Sequence, residues 1–358
     1  MTMMKNMLKK VIITGVTGQD GSYMADYLLE NTDYEIYGMV RRTSTNNYHN
    51  IKHLLNNNRF KLVIGDLTDS QSIDNIVIQI KPDYFINLAA QSFVGASWQI
   101  PEQTFDIDAI GVIRCLEAIR KHAPQCRFYN AGSSEELGNV DYSPQDENHP
   151  LKPRSPYGAA KAAARHIVKV YRESYNLYAI QGLLYNHESE RRGEEFVTRK
   201  ITKEVARIKK AIEDNIDFKP LELGNIYAKR DWSHAKDFVK GVWLMLNQSY
   251  PKEYLLASGK TYTVKEFIEK AFYFAGIKSY WGYSSKDHSE INEQLFSDKQ
   301  QVLVKINPNF YRPAEVDLLL GNPKKAKEEL NWNAEINFEN LVELMVKNDL
   351  NLINISVI

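Results

Sequence analysis

The apolar run Val11-Ile12-Ile13-Thr14 passes without a spacer into Gly15-Val16-Thr17-Gly18-Gln19-Asp20-Gly21, and no other feature constrains the fold so tightly. The run reads as a short buried strand. Ser22 to Glu30 follows with Met24, Tyr27 and Leu28 at helical spacing, which places the glycines at a strand-to-helix junction. Glycine there lets the backbone approach a pyrophosphate, whose charge rests on the helix N-terminus. A glycine triplet alone also fits an ordinary tight turn. The pattern downstream of it decides between the two.

Further strands are expected over 35–40, 61–64, 84–88, 127–129 and 178–184, with helices over 71–80, 103–121 and 155–175 between them. Such alternation specifies a parallel sheet covered on both faces. The expected fold is therefore α/β, a Rossmann-type doubly wound parallel sheet with a smaller C-terminal substrate-binding lobe. With 358 residues the chain is long enough for two joined lobes. Residues 8–185 with parts of 225–260 are assigned to the nucleotide-binding domain, and 186–224 and 261–358 mostly to the second lobe. Helices are expected there over 198–213, 235–247, 264–275, 323–329 and 337 to about 350, with polar loops over 187–197 and 223–236.

Forty-five basic residues balance forty-five acidic ones, which argues against a nucleic-acid partner while permitting a local anion site. No apolar run reaches the length of a membrane span. The start, Met1 to Lys10, lacks the apolar core of a signal peptide, so a cytoplasmic setting is expected. Cys115 and Cys126 build no disulfide framework. His49 and His53 share helical spacing without a carboxylate–cysteine set, so no metal site is expected.

The second strand ends at Arg41-Arg42-Thr43-Ser44 instead of an acidic residue. Two guanidiniums and two hydroxyls suit a ribose 2′-phosphate, so NADP is expected over NAD. Asp66-Leu67 and Ala89-Ala90-Gln91-Ser92 fall at strand C-termini, where open sheets hold ligands.

Tyr157 and Lys161 lie four residues apart at the start of a helix preceded by Ser155-Pro156, which places phenol and ammonium on one face. A free phenol has a pKa of about 10, and lowering it by about three units takes roughly 4 kcal/mol. One cation about 4 Å away at an effective dielectric of about 20 supplies that much. Tyr129-Asn130-Ala131-Gly132-Ser133-Ser134-Glu135 follows the fifth strand and is expected to present Ser133 and Glu135 on one side of an extended segment, beside Tyr157. A hydroxyl there can orient an alcohol oxygen, and a carboxylate can act as acid or base.

At this point the chain resembles the GDP-mannose 4,6-dehydratases, within the extended short-chain dehydrogenases. The resemblance runs through Thr14 to Tyr23, Val40-Arg41-Arg42, Gly65 to Asp69, Asn87 to Ser92 and Arg154 to Lys161. It continues in Asn186-His187-Glu188-Ser189, Arg191 to Glu194, Phe196 to Ile201, Leu223-Gly224-Asn225, Ala228 to Trp232 and Tyr311 to Asp317. It implies NADP contacts at Gly15, Thr17, Gly18, Gln19, Asp20, Gly21, Arg41, Arg42, Asp66, Leu67, Leu88, Ala89, Ala90, Gln91, Ser92, Tyr129, Lys161, His187 and Arg192. Around a GDP-sugar it implies Ser92, Asn186, Val197, Lys200, Gly224, Arg230, Arg312 and Glu315. Ser133, Glu135, Tyr157 and Lys161 would be catalytic. The implied reaction oxidises C4, eliminates water across C5 and C6, and returns the hydride to C6.

Four departures from the family pattern stand out: Ser133 for threonine, Glu136-Leu137 for an apolar–aromatic pair, Glu190 for proline and Ser233 for glycine. None removes a catalytic group, but together they bear on the sugar, and GDP-D-glycero-D-manno-heptose is the alternative substrate. A 4-epimerase or 4-keto reductase would need Tyr157 and Lys161 without a C5 base. A non-catalytic NADP-binding scaffold would need neither. The resemblance also implies a homodimer or homotetramer, with polar 43–58 as an exposed arm.

Overall fold

A computed structural model describes residues 8–138, 140–311, 316 and 318–355. The chain divides into two compact units: residues 1–185, 235–256 and 322–333, and residues 186–234, 257–321 and 334–358.

The first unit is built on β1 (Lys10–Thr14), β2 (Glu35–Val40), β3 (Phe60–Ile64), β4 (Tyr84–Asn87), β5 (Arg127–Ala131) and β6 (Ala179–Leu184). With the short strand Leu255–Leu256 they form one seven-stranded sheet. From one edge the order is β3, β2, β1, β4, β5, β6 and then Leu255–Leu256, all parallel. The strand order reverses between β1 and β4, the crevice where doubly wound sheets bind ligands. Every residue of β4 and β6 is buried, as a sheet covered on both faces requires. On one face Ile12, Phe85 and Phe128 join Ile73, Val77, Leu116, Ile119 and Val168 in a single apolar core. The helices that supply it are Ser70–Ile80, Gly111–His122 and Pro156–Tyr175.

Three differences from the sequence reading lie in this unit. The single helix expected over 103–121 is broken: Pro101–Phe105, a π-turn over Asp106–Ile110, then Gly111–His122. Arg114 steadies the break, reaching Leu67 O at 2.9 Å and Asp106 Oδ1 at 2.8 Å. The arm expected over 43–58 is exposed over most of its length but is anchored at two positions. Residues His49–Leu54 form a 3-10 turn that buries Ile51 and Leu54, and Asn50 donates to Thr17 O at 3.0 Å. Finally, Asn322–Asn333 returns to the first unit. Trp332 is buried there, donating to Asp237 O at 2.7 Å and meeting Phe238 edge-on at 5.7 Å.

The second unit holds a sheet that the sequence did not announce. Ser279–Tyr283, Glu293–Ser297 and Val302–Ile306 pair antiparallel, and Leu221–Leu223 adds in parallel. Helices Val197–Glu213, Val264–Phe274 and Phe338–Ile355 contribute to one core with it, through Ile201, Val205, Phe267, Ile268, Leu341 and Met345. The segments expected as loops at 187–197 and 223–236 contain the short strands Asn186–Glu188, Lys229–Arg230 and Trp232–His234. No helix among the described residues is long and apolar enough to cross a membrane.

Candidate active site

β1 ends at Thr14, whose hydroxyl accepts the backbone N–H groups of Leu88 at 3.1 Å and Ala89 at 3.0 Å. This pins the segment after β4 against the glycine turn. Gly15 has φ +63, and a Cβ there would meet Ala89 N at 2.8 Å. A Cβ on Gly21 would meet Gly15 O at 2.3 Å, so backbone lies where a side chain would go. Helix Gln19–Asn31 opens with Gly18 as its cap, a residue with no side chain to bond the first turn. A glycine cradle at a helix start whose cap residue carries no side chain fits a pyrophosphate. Gly21→Ala is expected to abolish dinucleotide binding while the chain stays folded, checked by calorimetric titration with NADP beside a thermal melt.

Around this turn Thr17 and Asp20 are half-buried, whereas Gln19 and Leu67 are buried. Arg41, Arg42 and Ser92 are exposed; Asp66, Leu88, Ala89, Ala90 and Gln91 are half-buried. Tyr129 is wholly buried, and its hydroxyl has no hydrogen-bond partner.

Helix Pro156–Tyr175 starts where the sequence places it. Ser155 caps it by accepting Gly158 N–H at 3.0 Å, and proline takes the first helical position, where its missing N–H costs nothing. The first turn therefore fixes Tyr157, which is buried, and Lys161 one turn on. Lys161 Nζ lies 5.8 Å from the Tyr157 ring centre and donates to Ala131 O at 3.0 Å.

Ser133 and Glu135 do reach Tyr157, by a different local structure from the one expected. Ser133 caps a 3-10 turn, Ser134–Glu136, and its Oγ accepts Glu135 N–H at 3.2 Å. The segment is thus coiled, not extended. A Cβ on Gly158 would meet Glu135 O at 2.5 Å, so the turn presses directly on the start of the helix. The Ser133 hydroxyl bonds the Tyr157 phenol and favours its ionisation.

The expected lowering of the phenol by Lys161 is not what the protein alone produces. Burial pushes the Tyr157 phenol above its ordinary range, and the nearby carboxylates of Asp108, Glu135 and Glu136 add to that rise. The ammonium is more than a hydrogen bond away and already serves a carbonyl.

Two further carboxylates stand at this site: Asp108, which sequence reasoning missed, and Glu136, which it singled out only as a departure from the family pattern. Asp108 sits in the π-turn; its Oδ1 accepts Gln91 N–H at 2.8 Å, and its Oδ2 is buried without a partner. Burial pushes Asp108 up to about 6, with Lys161 opposing. Helical π-turns recur at functional sites, but no sequence signal marks this one. Glu136 is fully buried and is pushed up to about 7 by burial, against the pull of Arg165 and Lys161.

Within the second unit, Lys200 Nζ donates to Glu222 O at 2.8 Å and lies 4.5 Å from the Phe310 ring centre. Burial lowers its pKa. A Cβ on Gly224 would meet Phe310 O at 2.6 Å, so Lys200 and Gly224 both border Phe310. Val197 opens the helix that carries Lys200. Asn186 and His187 lie on the strand that pairs with Trp232–His234. Arg192 pairs with Glu188 at 3.1 Å and covers the Phe196 ring at 3.6 Å. Arg230 is largely buried, next to Asp231, which accepts from Ser258, Gly259 and Gly321. Arg312 and Glu315 lie outside the described residues.

A family profile described as GDP-mannose 4,6 dehydratase matches residues 12–345. A Drosophila melanogaster protein named GDP-mannose 4,6 dehydratase is 45% identical over 96% of this chain and 87% of its own length. A Vibrio cholerae protein named GDP-mannose 4,6-dehydratase is 45% identical over 96% of this chain and 94% of its own. Among solved structures, dTDP-glucose 4,6-dehydratase from Bacillus anthracis, in complex with NAD, superposes with a TM-score of 0.76 at 21% identity. That match covers 95% of this chain and 96% of the other, and it shows the same fold.

Proposed function

The chain belongs to the GDP-mannose 4,6-dehydratase family, and from that premise we propose that it converts GDP-mannose to GDP-4-keto-6-deoxy-mannose and water, with NADP as a resident cofactor. The observation that carries this reading is the meeting of Tyr157, Lys161, Ser133 and Glu135 on one helix start and the turn pressed against it. The tyrosine and lysine alone would serve an epimerase or a ketone reductase. Glu135 gives the site a base for C5, which neither of those reactions needs.

A nicotinamide dinucleotide held at the turn of Gly15, Gly18 and Gly21 would supply reversible hydride transfer between C4 and C6, so the net change would be loss of water. The protein's own groups manage the protons. Tyr157 takes the proton of the C4 hydroxyl as C4 becomes a ketone, and Ser133 orients that oxygen. Lys161 holds the ribose and favours the phenolate. The ketone acidifies C5; Glu135 removes that proton and passes one to the departing C6 hydroxyl, which leaves as water. C5 is then reprotonated from solvent while Tyr157 releases the proton it took from C4, so the protons balance over the cycle. Asn186, Val197, Lys200, Gly224 and Arg230 are read as contacts of the GDP-sugar, with cations suited to its diphosphate. His187 and Arg192 are read as cofactor contacts.

The exposed pair Arg41 and Arg42 supports NADP over NAD. Replacing both with serine is expected to lower kcat/KM for NADP-loaded enzyme by about 10–100-fold relative to NAD-loaded enzyme, from the loss of about 1.5–3 kcal/mol of charged hydrogen bonding. Parallel titrations with the two dinucleotides check it. The reading as a whole is tested by incubating the enzyme with GDP-mannose and with GDP-D-glycero-D-manno-heptose and weighing the products. Loss of one water from GDP-mannose supports it. Loss from the heptose alone reassigns the sugar, and a product isomeric with its substrate rejects dehydration.

A further inference from the structure

A line of polar side chains crosses the middle of the first unit's sheet, where apolar residues would ordinarily lie. Thr14 on β1, Asn87 on β4, Asn130 on β5 and Gln181 on β6 are in register, so their side chains share one face. All four are buried. Thr14 Oγ1 donates to Asn87 Oδ1 at 2.6 Å, Asn87 Nδ2 to Asn130 Oδ1 at 2.7 Å, and Asn130 Nδ2 to Gln181 Oε1 at 2.7 Å. Gln181 Nε2 then donates to Glu136 Oε1 at 2.8 Å and to Lys161 O at 3.0 Å. Every link donates in the same direction, and the line ends on Glu136. The same Oε1 accepts Ser133 N–H at 2.7 Å.

Burying five polar side chains costs free energy unless their links are made, and made links repay that cost in rigidity; here each link of the line is formed, while Glu136 Oε2 at its end is buried without a partner. Here the two ends have work to do. At one end, Thr14 accepts the N–H groups of Leu88 and Ala89 beside the glycine turn. At the other, Glu136 holds the cap residue of the turn that carries Ser133 and Glu135. A Cβ on Gly132 would meet Glu136 Oε1 at 2.5 Å, so the backbone has been brought close around that oxygen.

We infer that Glu136 is a positioning residue for the dehydration: at the end of the amide line, its Oε1 fixes the Ser133 turn and thereby sets Ser133 and Glu135 against Tyr157. The inference rests on the dehydratase reading for its effect on turnover, and on geometry alone for its effect on the turn. Oε1 accepts whether or not the carboxyl carries a proton, so an amide oxygen can replace it. Leucine cannot.

The test compares Glu136→Leu, Glu136→Gln and Gln181→Met with the unaltered enzyme by kcat, KM, NADP dissociation constant, thermal melt and hydrogen exchange over residues 133–137. Glu136→Leu is expected to lower kcat by about 30–100-fold, the loss typical of a misplacement of about 1 Å. KM and the NADP constant should stay within about threefold, because transition-state geometry is lost rather than binding. Exchange at residues 133–137 should quicken, and Glu136→Gln should restore both readouts to within about threefold of the parent. Unchanged kcat in the leucine variant, equal damage in both Glu136 variants, or a rise in KM alone would overturn the inference. Should the leucine variant not fold, Gln181→Met decides: about tenfold lower kcat with faster exchange supports the assignment, and parental behaviour refutes it. An unaltered enzyme that dehydrates neither GDP-sugar would defeat the dehydratase reading, and the exchange comparison would still judge the positioning role.

Discussion

Tyr157→Phe is expected to lower kcat by about a thousandfold, within the range for loss of a positioned acid–base group, with KM for GDP-mannose and affinity for NADP nearly unchanged. The ring is buried and keeps its packing in the variant, so the loss is chemical. In the chain alone burial and the carboxylates of Asp108, Glu135 and Glu136 oppose ionisation of the phenol, and the Ser133 hydroxyl bond favours it. Water loss followed by mass spectrometry measures the effect. A phenylalanine variant that keeps kcat within tenfold of the parent would mean another group takes the C4 proton.

Glu135→Gln carries the second large effect: about a hundred- to ten-thousandfold loss of dehydrated product. The glutamine keeps the shape of the turn, since the Ser133 cap is bonded by the Glu135 backbone N–H and not by its side chain. What it removes is the carboxylate proposed as the base for C5. In heavy water the parent enzyme should leave deuterium at C5 of the product, and the variant should leave C5 of recovered sugar unlabelled. Deuterium appearing at C5 at the parental rate would assign that proton to a different residue.

The parts of this molecule that were legible in the sequence share a short range. The glycine turn, the Ser155-Pro156 helix start and the alternating apolar strands are each written within a few residues, and each is where the pattern put it. The antiparallel sheet of the second unit escaped because its strands lack apolar alternation: Ser279-Tyr-Trp-Gly-Tyr buries no residue fully, and Glu293-Gln-Leu-Phe-Ser buries Glu293 and Ser297 beside Leu295. The π-turn escaped because an extra residue in a helix leaves apolar spacing nearly intact. The amide line escaped for a stronger reason. Thr14, Asn87, Asn130 and Gln181 lie 43 to 73 residues from their partners, and only strand register reveals that they touch. Glu136 was visible as an odd choice of residue, yet its meaning depended on Gln181, 45 positions away.

Trp332 has a consequence for how this chain comes into being. Its indole sits against Asp237, Phe238 and the bare backbone of Gly241, where any side chain would meet the ring nitrogen at 2.9 Å. The first unit is therefore closed by a residue synthesised after most of the second unit but before its last helix, Phe338–Ile355. On the ribosome, the early strands wait with that seam open while the intervening residues emerge. A nascent chain halted before residue 332 holds an exposed apolar slot, one that a chaperone could occupy and that a released fragment would carry into aggregation.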